Sequence, residues 1–119
     1  MPLSPVPASR PRVTRWGTYH LKRYSTWMKQ VALHLPVGDE PVFTGPVAVY
    51  CEFVVRKPKT TKLSMPRADN DNLEKATYDA ITKCMCVWKD DNQIQMNLSV
   101  KRFTNPKEEP HTEVHIVPL

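Results

Sequence analysis

The stretch "RADNDNLEKATYDAI", residues 67–81, places two aspartates, Asp69 and Asp71, where a helix is expected to begin. Apolar residues follow at three- and four-residue steps, as on one buried side of a helix: Leu73, Ala76, Ala80, Ile81 and Cys84. A carboxylate in the first turn accepts backbone N–H groups and complements the positive end of the helix dipole. The simplest interpretation of the two aspartates is therefore that they cap the helix.

The residues before this stretch predict one further helix and one strand. Apolar residues recur at helical steps at Leu21, Tyr24, Met28, Val31, Ala32 and Leu35. Pro36 and Gly38 end that pattern. The segment "GPVAVYCEFVVRK", residues 45–57, is rich in β-branched residues, which predicts a strand. One face of that strand carries Val47, Val49, Cys51, Phe53 and Val55.

The last third of the chain predicts two strands. In "NQIQMNLSVKRF", apolar and polar residues alternate, the apolar set being Ile94, Met96, Leu98 and Val100. The turn "NPKEEP" and the closing strand "HTEVHIVPL" follow. Residues 1–16 are basic and rich in proline, and we expect irregular chain there with at most a short strand. The sequence thus predicts an α+β fold, a small mixed β-sheet with two main helices packed on one face.

Length and composition indicate one globular domain, residues 1–119. Hydrophobic residues make up 40% and charged residues 24% of the chain, which is ordinary for such a domain. No apolar run approaches the roughly twenty residues that cross a bilayer, and the N-terminus lacks the apolar segment of a secretory signal. The three cysteines, an odd number, do not form a complete disulfide framework. A cytoplasmic protein is expected.

The net charge of +5 favours a polyanionic partner, and its distribution points to nucleic acid. One basic segment without acids leads directly into the aspartates and contains Arg56, Lys57, Lys59, Lys62 and Arg67. A second contains Arg10, Arg12 and Arg15. Contacts of such residues with phosphates are independent of base sequence and would bring DNA to the acidic cluster.

The aspartates also fit a metal site. Asp69 and Asp71 stand two residues apart in chain expected to be extended, so their side chains point the same way. The chain returns after the helix, which can bring Asp90 or Asp91 beside them. Converging carboxylates repel each other unless a cation such as Mg²⁺ binds them, and such a site suits phosphodiester cleavage. Lys75, one turn after Asp71, pairs with it or lies close to the scissile phosphate.

Two alternatives compete with a metal-dependent nuclease. In the first, the chain is a non-catalytic, basic DNA-binding module whose aspartates only cap a helix. In the second, Cys84, Cys86, His111 and His115 bind a structural zinc ion. The cysteine spacing is shorter than is usual for zinc, and Cys84 falls on the apolar side of its helix, which favours a core thiol.

Two linked motifs resemble those of the RusA family of Holliday junction resolvases. The first, D-x-D-N-L-x-K-x-x-x-D-A-(I/L), is present from Asp69 to Ile81, and the second, D-D-x-Q-(I/V), from Asp90 to Ile94. The N-terminal "RPRVTRWGTY" also resembles the opening of many phage and prophage members. The similarity extends over most of the chain.

The resemblance implies a homodimeric, Mg²⁺-dependent endonuclease, for which Mn²⁺ is a plausible substitute. Such an enzyme binds branched DNA, the four-way junction, and cuts two opposing strands, one per active site, in DNA recombination and repair. By motif position, Asp69, Asp71 and Asp91 correspond to the metal-binding catalytic carboxylates and Lys75 to the essential lysine. Because the link between the motifs is slightly longer than usual, Asp90 remains an alternative to Asp91. The expected location is a bacterial or phage-infected host cytoplasm, without membrane contact.

Overall fold

The structure is a computed structural model that describes residues 1–8, 22–38 and 40–119, together with the backbone of residues 12–14 and 17–19. The helices are α1 (Lys22–Ala32) and α2 (Asn70–Cys84). The strands are β1 (Arg12–Thr14), β2 (Gly17–Tyr19), β3 (Val47–Val55), β4 (Ile94–Phe103) and β5 (His111–Pro118), and a single 3-10 turn covers Asp91–Gln93. The predicted order of helix, strand, helix, strand, strand is confirmed.

The N-terminal segment contains a short strand, as the sequence allowed. β1 and β2 pair antiparallel as a short hairpin, with Arg12 opposite Tyr19. Of the described residues in this segment, Arg12–Thr14 form one strand, and Gly17–Tyr19 form the next. An isolated two-stranded hairpin has only marginal stability in water. Its two three-residue strands are also too short to show a clear alternation of apolar and polar residues.

Within the described residues, three strands form the main sheet in the order β4-β3-β5. β3 runs parallel to β4 and antiparallel to β5, so the sheet is mixed as predicted. α2 makes the crossover between the two parallel strands, because parallel neighbours need a long connection. β3 is central, and Val47, Cys51 and Phe53 on it are fully buried.

The core lies between the sheet and α2. Leu73 and Ile81 of α2 pack against the buried side of β3, and Trp88 beyond the helix completes this layer. Trp88 is fully buried, and its indole N–H donates to Thr82 Oγ1 at 2.7 Å. The α2 residues that were predicted to be apolar and inward are buried, except Cys84, which is half-buried.

α1 packs against α2 through a side that differs in part from the predicted one. Tyr24, Trp27 and Val31 of α1 are buried beside Ala76 and Ala80. Met28 is half-buried, and Ala32 is exposed. Trp27 takes the place on the inward side because it lies three residues after Tyr24 and four before Val31, whereas Ala32 is rotated away from α2. The predicted Leu21 lies outside the described residues.

The alternation in β4 is confirmed, but its polar residues face the helix. Asn97, Ser99 and Lys101 pair with the inward-facing β3 residues Val49, Cys51 and Phe53. Met96, Leu98 and Val100 consequently point to the opposite side of the sheet and are exposed, whereas Ile94, before a register shift, packs against the core. In the part of the chain that the structure describes, no helix is long and apolar enough to cross a bilayer.

Candidate active site

Asp69 stands at the N-cap position of α2, but its side chain does not cap the helix. Its backbone is extended (φ −70°, ψ 142°), and its carbonyl accepts the Leu73 N–H at 3.1 Å. No capping hydrogen bond reaches its carboxylate. Asp71 lies in the first turn and is exposed. The interpretation of Asp69 as a side-chain cap is therefore wrong, which leaves this carboxylate available for other partners.

Hydrogen bonds between polar side chains connect the start of α2 to the edge strand β4; we refer to this set of contacts as the polar seam. Glu74 accepts a hydrogen bond from Asn97 Nδ2 at 3.0 Å and another from the Ser99 hydroxyl. Asn70 Nδ2 donates to Ser99 Oγ at 3.0 Å, and Lys101 Nζ donates to the Ala68 carbonyl at 2.9 Å. These bonds explain the inward polar face of β4, because half-buried polar groups need partners. They also fix the loop and helical turn that carry Asp69 and Asp71.

Lys75 and Asp79 follow Asp71 at successive four-residue steps, so the three side chains lie along one side of α2. The 3-10 turn brings Asp91 close to that side. Partial burial, a hydrogen bond with Asp90 and the charges of Asp90 and Asp79 raise the pKa of Asp91, while Lys75 opposes the rise. The chain thus returns to α2 as predicted. Asp79, which sequence reasoning did not assign to the site, could have been found from its spacing to Lys75.

The side chain of Asp90 has a structural role that differs from the role proposed for Asp91. Its carboxylate accepts the Asn92 N–H at 3.1 Å and caps the 3-10 turn as part of a capping box with Gln93. The Gln93 amide donates in turn to the carbonyls of Phe43 and Gly45, at 3.0 and 2.9 Å. Asp90 is therefore bound into the local fold, whereas Asp91 faces the charges of α2.

No three His, Cys, Asp or Glu side chains among the described residues lie close enough together to hold one metal ion. Asp91 neighbours Lys75 and Asp79, one and two turns along α2 from Asp71. The set Asp69, Asp71 and Asp91 thus stays a prediction. The donors nevertheless suit a hard cation: they are carboxylates, Asp69 lacks a capping partner, and a cation would relieve the repulsion around Asp91.

The zinc alternative does not fit the fold. Cys86 is buried in the core between the sheet and α2. His115 lies against Tyr50 on the other face of the sheet, with the two rings tilted by 44°, and His111 shares that face by its register on β5. Ligands on opposite sides of a packed sheet do not converge on one ion.

The predicted DNA-binding residues of the loop after β3 are exposed. Arg56 pairs with Glu109 at 2.9 Å, an acid distant in sequence, and Lys57 lies 5.9 Å from the centre of the Phe103 ring. Lys59, Lys62 and Arg67 are also exposed. Of the second segment, Arg10 and Arg15 lie outside the described residues, and only the backbone of Arg12 is described.

A cleft of about 550 Å³ lies between the N-terminal segment and the loop after β3. It is lined by Arg67 and Ala68, immediately before Asp69, and on the opposite side by Pro5 and Arg23. Arg23 was missed in the sequence, where its only signal is a cation on the polar side of the first helix. The cleft is thus lined by two arginine side chains and reaches the start of α2.

Carboxylates and a lysine along one side of a helix, beside a cation-lined cleft, are compatible with a protein that acts on phosphodiesters. The family model described as Endodeoxyribonuclease RusA matches residues 2–117, nearly the whole chain, and the chain belongs to this family. It is accordingly an endodeoxyribonuclease of the Holliday junction resolvase type, which acts on branched DNA in recombination and repair. Resolvases of this family generally need a divalent metal. Comparison with curated proteins gave no match.

Proposed function

We propose that this chain is a Mg²⁺-dependent, homodimeric enzyme that resolves four-way junctions by paired phosphodiester hydrolysis. Asp69, Asp71 and Asp91 would hold the metal, and Lys75 would serve as the cation at the reacting phosphate. The observation that supports the proposal is the contact between α2 and the 3-10 turn, which brings Asp91 within electrostatic reach of Lys75 and Asp79. The non-catalytic alternative required side-chain capping by the aspartates, and Asp69 makes none.

The residues of the chain divide the work as follows. When bound, the metal supplies an activated water and neutralises charge that develops on the phosphate. Asp69 and Asp71 offer carboxylate oxygens from a loop and helical turn that the Glu74–Ser99 contact holds in place. Lys75 offers positive charge to the leaving oxygen or a non-bridging oxygen. The carboxylate of Asp91 adds negative charge next to Lys75 and Asp79. This negative charge would attract a metal cation to the same side of α2.

DNA would reach these residues along the cation-lined cleft. Arg23 and Arg67 line it, and the exposed Lys59 and Lys62 extend from the adjacent loop. Because such contacts displace counterions from the phosphates, binding should weaken steeply as salt rises. Arg56 contributes less to this surface, since Glu109 already compensates its charge.

A synthetic four-way junction beside a linear duplex of the same sequence, each with and without Mg²⁺, tests the proposal. The wild type should cut the junction only with a divalent metal, and Mn²⁺ should replace Mg²⁺. Asp71→Asn should abolish cutting and leave junction binding intact or tighter, because it removes negative charge near phosphate. Retained cutting by a pure Asp71→Asn preparation would contradict the proposed site.

A further inference from the structure

The cation-lined cleft has an apolar floor that the helices leave partly open. On the side of β3 that faces α2, every second residue from Val47 to Phe53 is buried. The next residue on that side, Val55, is only half-buried, and so is its partner on β4, Phe103. Both line the cleft, together with Leu73, the first buried residue of α2. The last inward-facing pair of the sheet therefore extends past the start of the helix and forms the floor.

The walls above this floor are also apolar, and they are stiff. Pro5 and Pro7 come from the N-terminal segment, and Pro58, Leu63 and Pro66 from the loop after β3. Proline fixes its own backbone φ angle, so a wall built from prolines changes shape little when a ligand enters. The volume of about 550 Å³ lies within the range of roughly 300–1,000 Å³ that is typical of small-molecule sites. The cleft thus has the size and the apolar walls of a site for one flat, apolar group.

The charges at the cleft favour a ligand that also carries an anion. Arg23 and Arg67 line the cleft, and none of the described residues that line it is acidic. The Lys57 ammonium lies 5.9 Å from the centre of the Phe103 ring, within the range of a cation–π contact. A nucleotide of DNA combines the two properties, since it has a flat base with two π faces and a phosphate. An aromatic ring beside cations is also how proteins bind unpaired bases.

A base inside a duplex does not reach the floor of the cleft. It is paired and stacked, whereas the floor is recessed between two walls, so the base must first leave the stack. Extrusion costs least where pairing or stacking is already interrupted. The exchange point of a four-way junction is such a place, because the strands there pass from one duplex to another. Phosphate contacts are available on linear and branched DNA alike, so only the floor distinguishes the two.

We propose that the cleft receives one base extruded at the exchange point, stacks it on Phe103 and holds its phosphate with Arg67. This inference rests on the proposed function, because it takes branched DNA as the substrate. Arg67 precedes Asp69 by two residues, so their Cα atoms are at most about 7 Å apart. Lys101 Nζ donates to the Ala68 carbonyl at 2.9 Å, which ties this wall to β4, the strand that carries Phe103. A base in the cleft would therefore place a neighbouring phosphate of its strand at the start of α2.

The fluorescence of 2-aminopurine, measured with the wild type and without divalent metal, tests the extrusion. This base analogue is quenched while it is stacked between neighbouring bases and becomes bright when it leaves the stack. It replaces one adenine beside the exchange point, in the middle of one arm, or in a linear duplex of the same sequence. Protein binding should raise the emission severalfold at the exchange point and at neither of the other positions. No rise at any base beside the exchange point, or an equal rise in the arm, would overturn the proposal.

The variant Phe103→Leu, compared at equal folded fraction, tests the floor, because it keeps an apolar side chain and removes the ring. It should weaken junction binding about tenfold, abolish most of the fluorescence rise and leave binding of the linear duplex unchanged. The slope of log affinity against log salt should stay at the wild-type value, since no charge is lost.

Phe43→Leu is the matched control for this variant. Phe43 is also half-buried, but it lies in the loop before β3 and does not line the cleft. Phe43→Leu should bind the junction as the wild type does and give the same fluorescence rise. Unchanged junction binding in Phe103→Leu, or an equal loss for junction and duplex, would overturn the proposal. The measurement on the wild type stands even if Phe103→Leu does not fold.

The two proposals fail in different ways. Fluorescence and binding are measured without metal, so they report the extruded base whether or not the protein cuts DNA. If the wild type extrudes a base at the exchange point but does not cut the junction in Mg²⁺, only the proposed function fails. If it cuts the junction in Mg²⁺ and extrudes no base, only the proposed base site fails.

Discussion

Arg102 joins three parts of the fold through two carboxylates. Its guanidinium donates to Glu52 on β3 at 2.6 Å and, in a two-pronged contact, to Glu108 in the turn after β4 at 2.6 and 2.8 Å. Glu108 also accepts the Asn105 N–H at 2.8 Å. The Arg102 hydrogen bonds, followed by the Asn105 N–H, lower the pKa of Glu108 to about 2 from its usual 4.5. This single side chain thus closes the β4–β5 turn onto the sheet.

The lowered pKa of Glu108 predicts a pH-dependent stability. A depressed pKa in the folded state gives stability that is complete above the unfolded pKa, near 4.5, and is lost as pH falls towards 2. Glu108→Gln should therefore unfold at lower urea than the wild type at pH 7, and the two should converge as pH falls through that window. Glu109→Gln is the control, because its pair with Arg56 is highly exposed. It should change stability little at any pH. A Glu108→Gln deficit that persists at pH 2 would contradict this account.

At the scale of elements, the contact between α2 and β4 decides where the candidate site sits. The helix meets the edge strand through Glu74, Asn97 and Ser99 rather than through apolar side chains. Polar contacts of this kind have directional geometry, so they fix the rotation of α2 about its axis. The same rotation directs Asp71, Lys75 and Asp79 along one side.

Removal of Glu74 should loosen this contact. Glu74→Ala leaves the Asn97 amide and the Ser99 hydroxyl without their acceptor, which should cost about 1 kcal/mol of the free energy of unfolding because both groups can still reach water. Urea denaturation measures the loss, and Glu40→Ala, an exposed glutamate before β3, is the matched control. Glu40→Ala should fall within about 0.5 kcal/mol of the wild type. Equal stabilities of the two variants would show that the polar seam does not hold α2.

The loop after β3 predicts a salt-dependent binding surface. Lys59 and Lys62 are exposed there and point into solvent beside the cleft. Their joint replacement by glutamine should weaken junction binding and reduce the slope of log affinity against log salt by up to about 2, roughly 0.9 for each phosphate that the protein no longer neutralises. Arg56→Gln should change the slope less, because Glu109 shares its charge. Equal slopes for the wild type and the double variant would show that Lys59 and Lys62 do not contact DNA phosphates.

At the scale of the whole molecule, the local elements could be predicted from sequence and their mutual faces could not. α2 and β3 follow from apolar periodicity, which each segment carries by itself. The side of β4 that faces α2 cannot be predicted in this way, because alternation defines two faces without choosing between them. The choice depends on Glu74, some twenty residues away in sequence. The Arg56–Glu109 pair is likewise invisible until the turn after β4 folds back.

The candidate site shows the same division. The motif positions of Asp69, Asp71 and Lys75 are local, so the sequence could name them. What it could not predict is the separation of Asp90 from Asp91, which depends on the 3-10 turn and its contacts with the loop before β3. The sequence also could not show that Asp69 leaves its own helix uncapped by its side chain.

The proposed metal-dependent site contains Asp91, and not Asp90, together with Asp69 and Asp71. The most direct measurement is the rate of Mg²⁺-dependent junction cleavage by Asp91→Asn and Asp90→Asn, compared at equal folded fraction. Asparagine caps a helix as well as aspartate does, so Asp90→Asn should keep its turn and cut at close to the wild-type rate. Asp91→Asn should lose cleavage by at least about a hundredfold and still bind the junction. Full activity in Asp91→Asn, or loss in Asp90→Asn alone, would contradict the account.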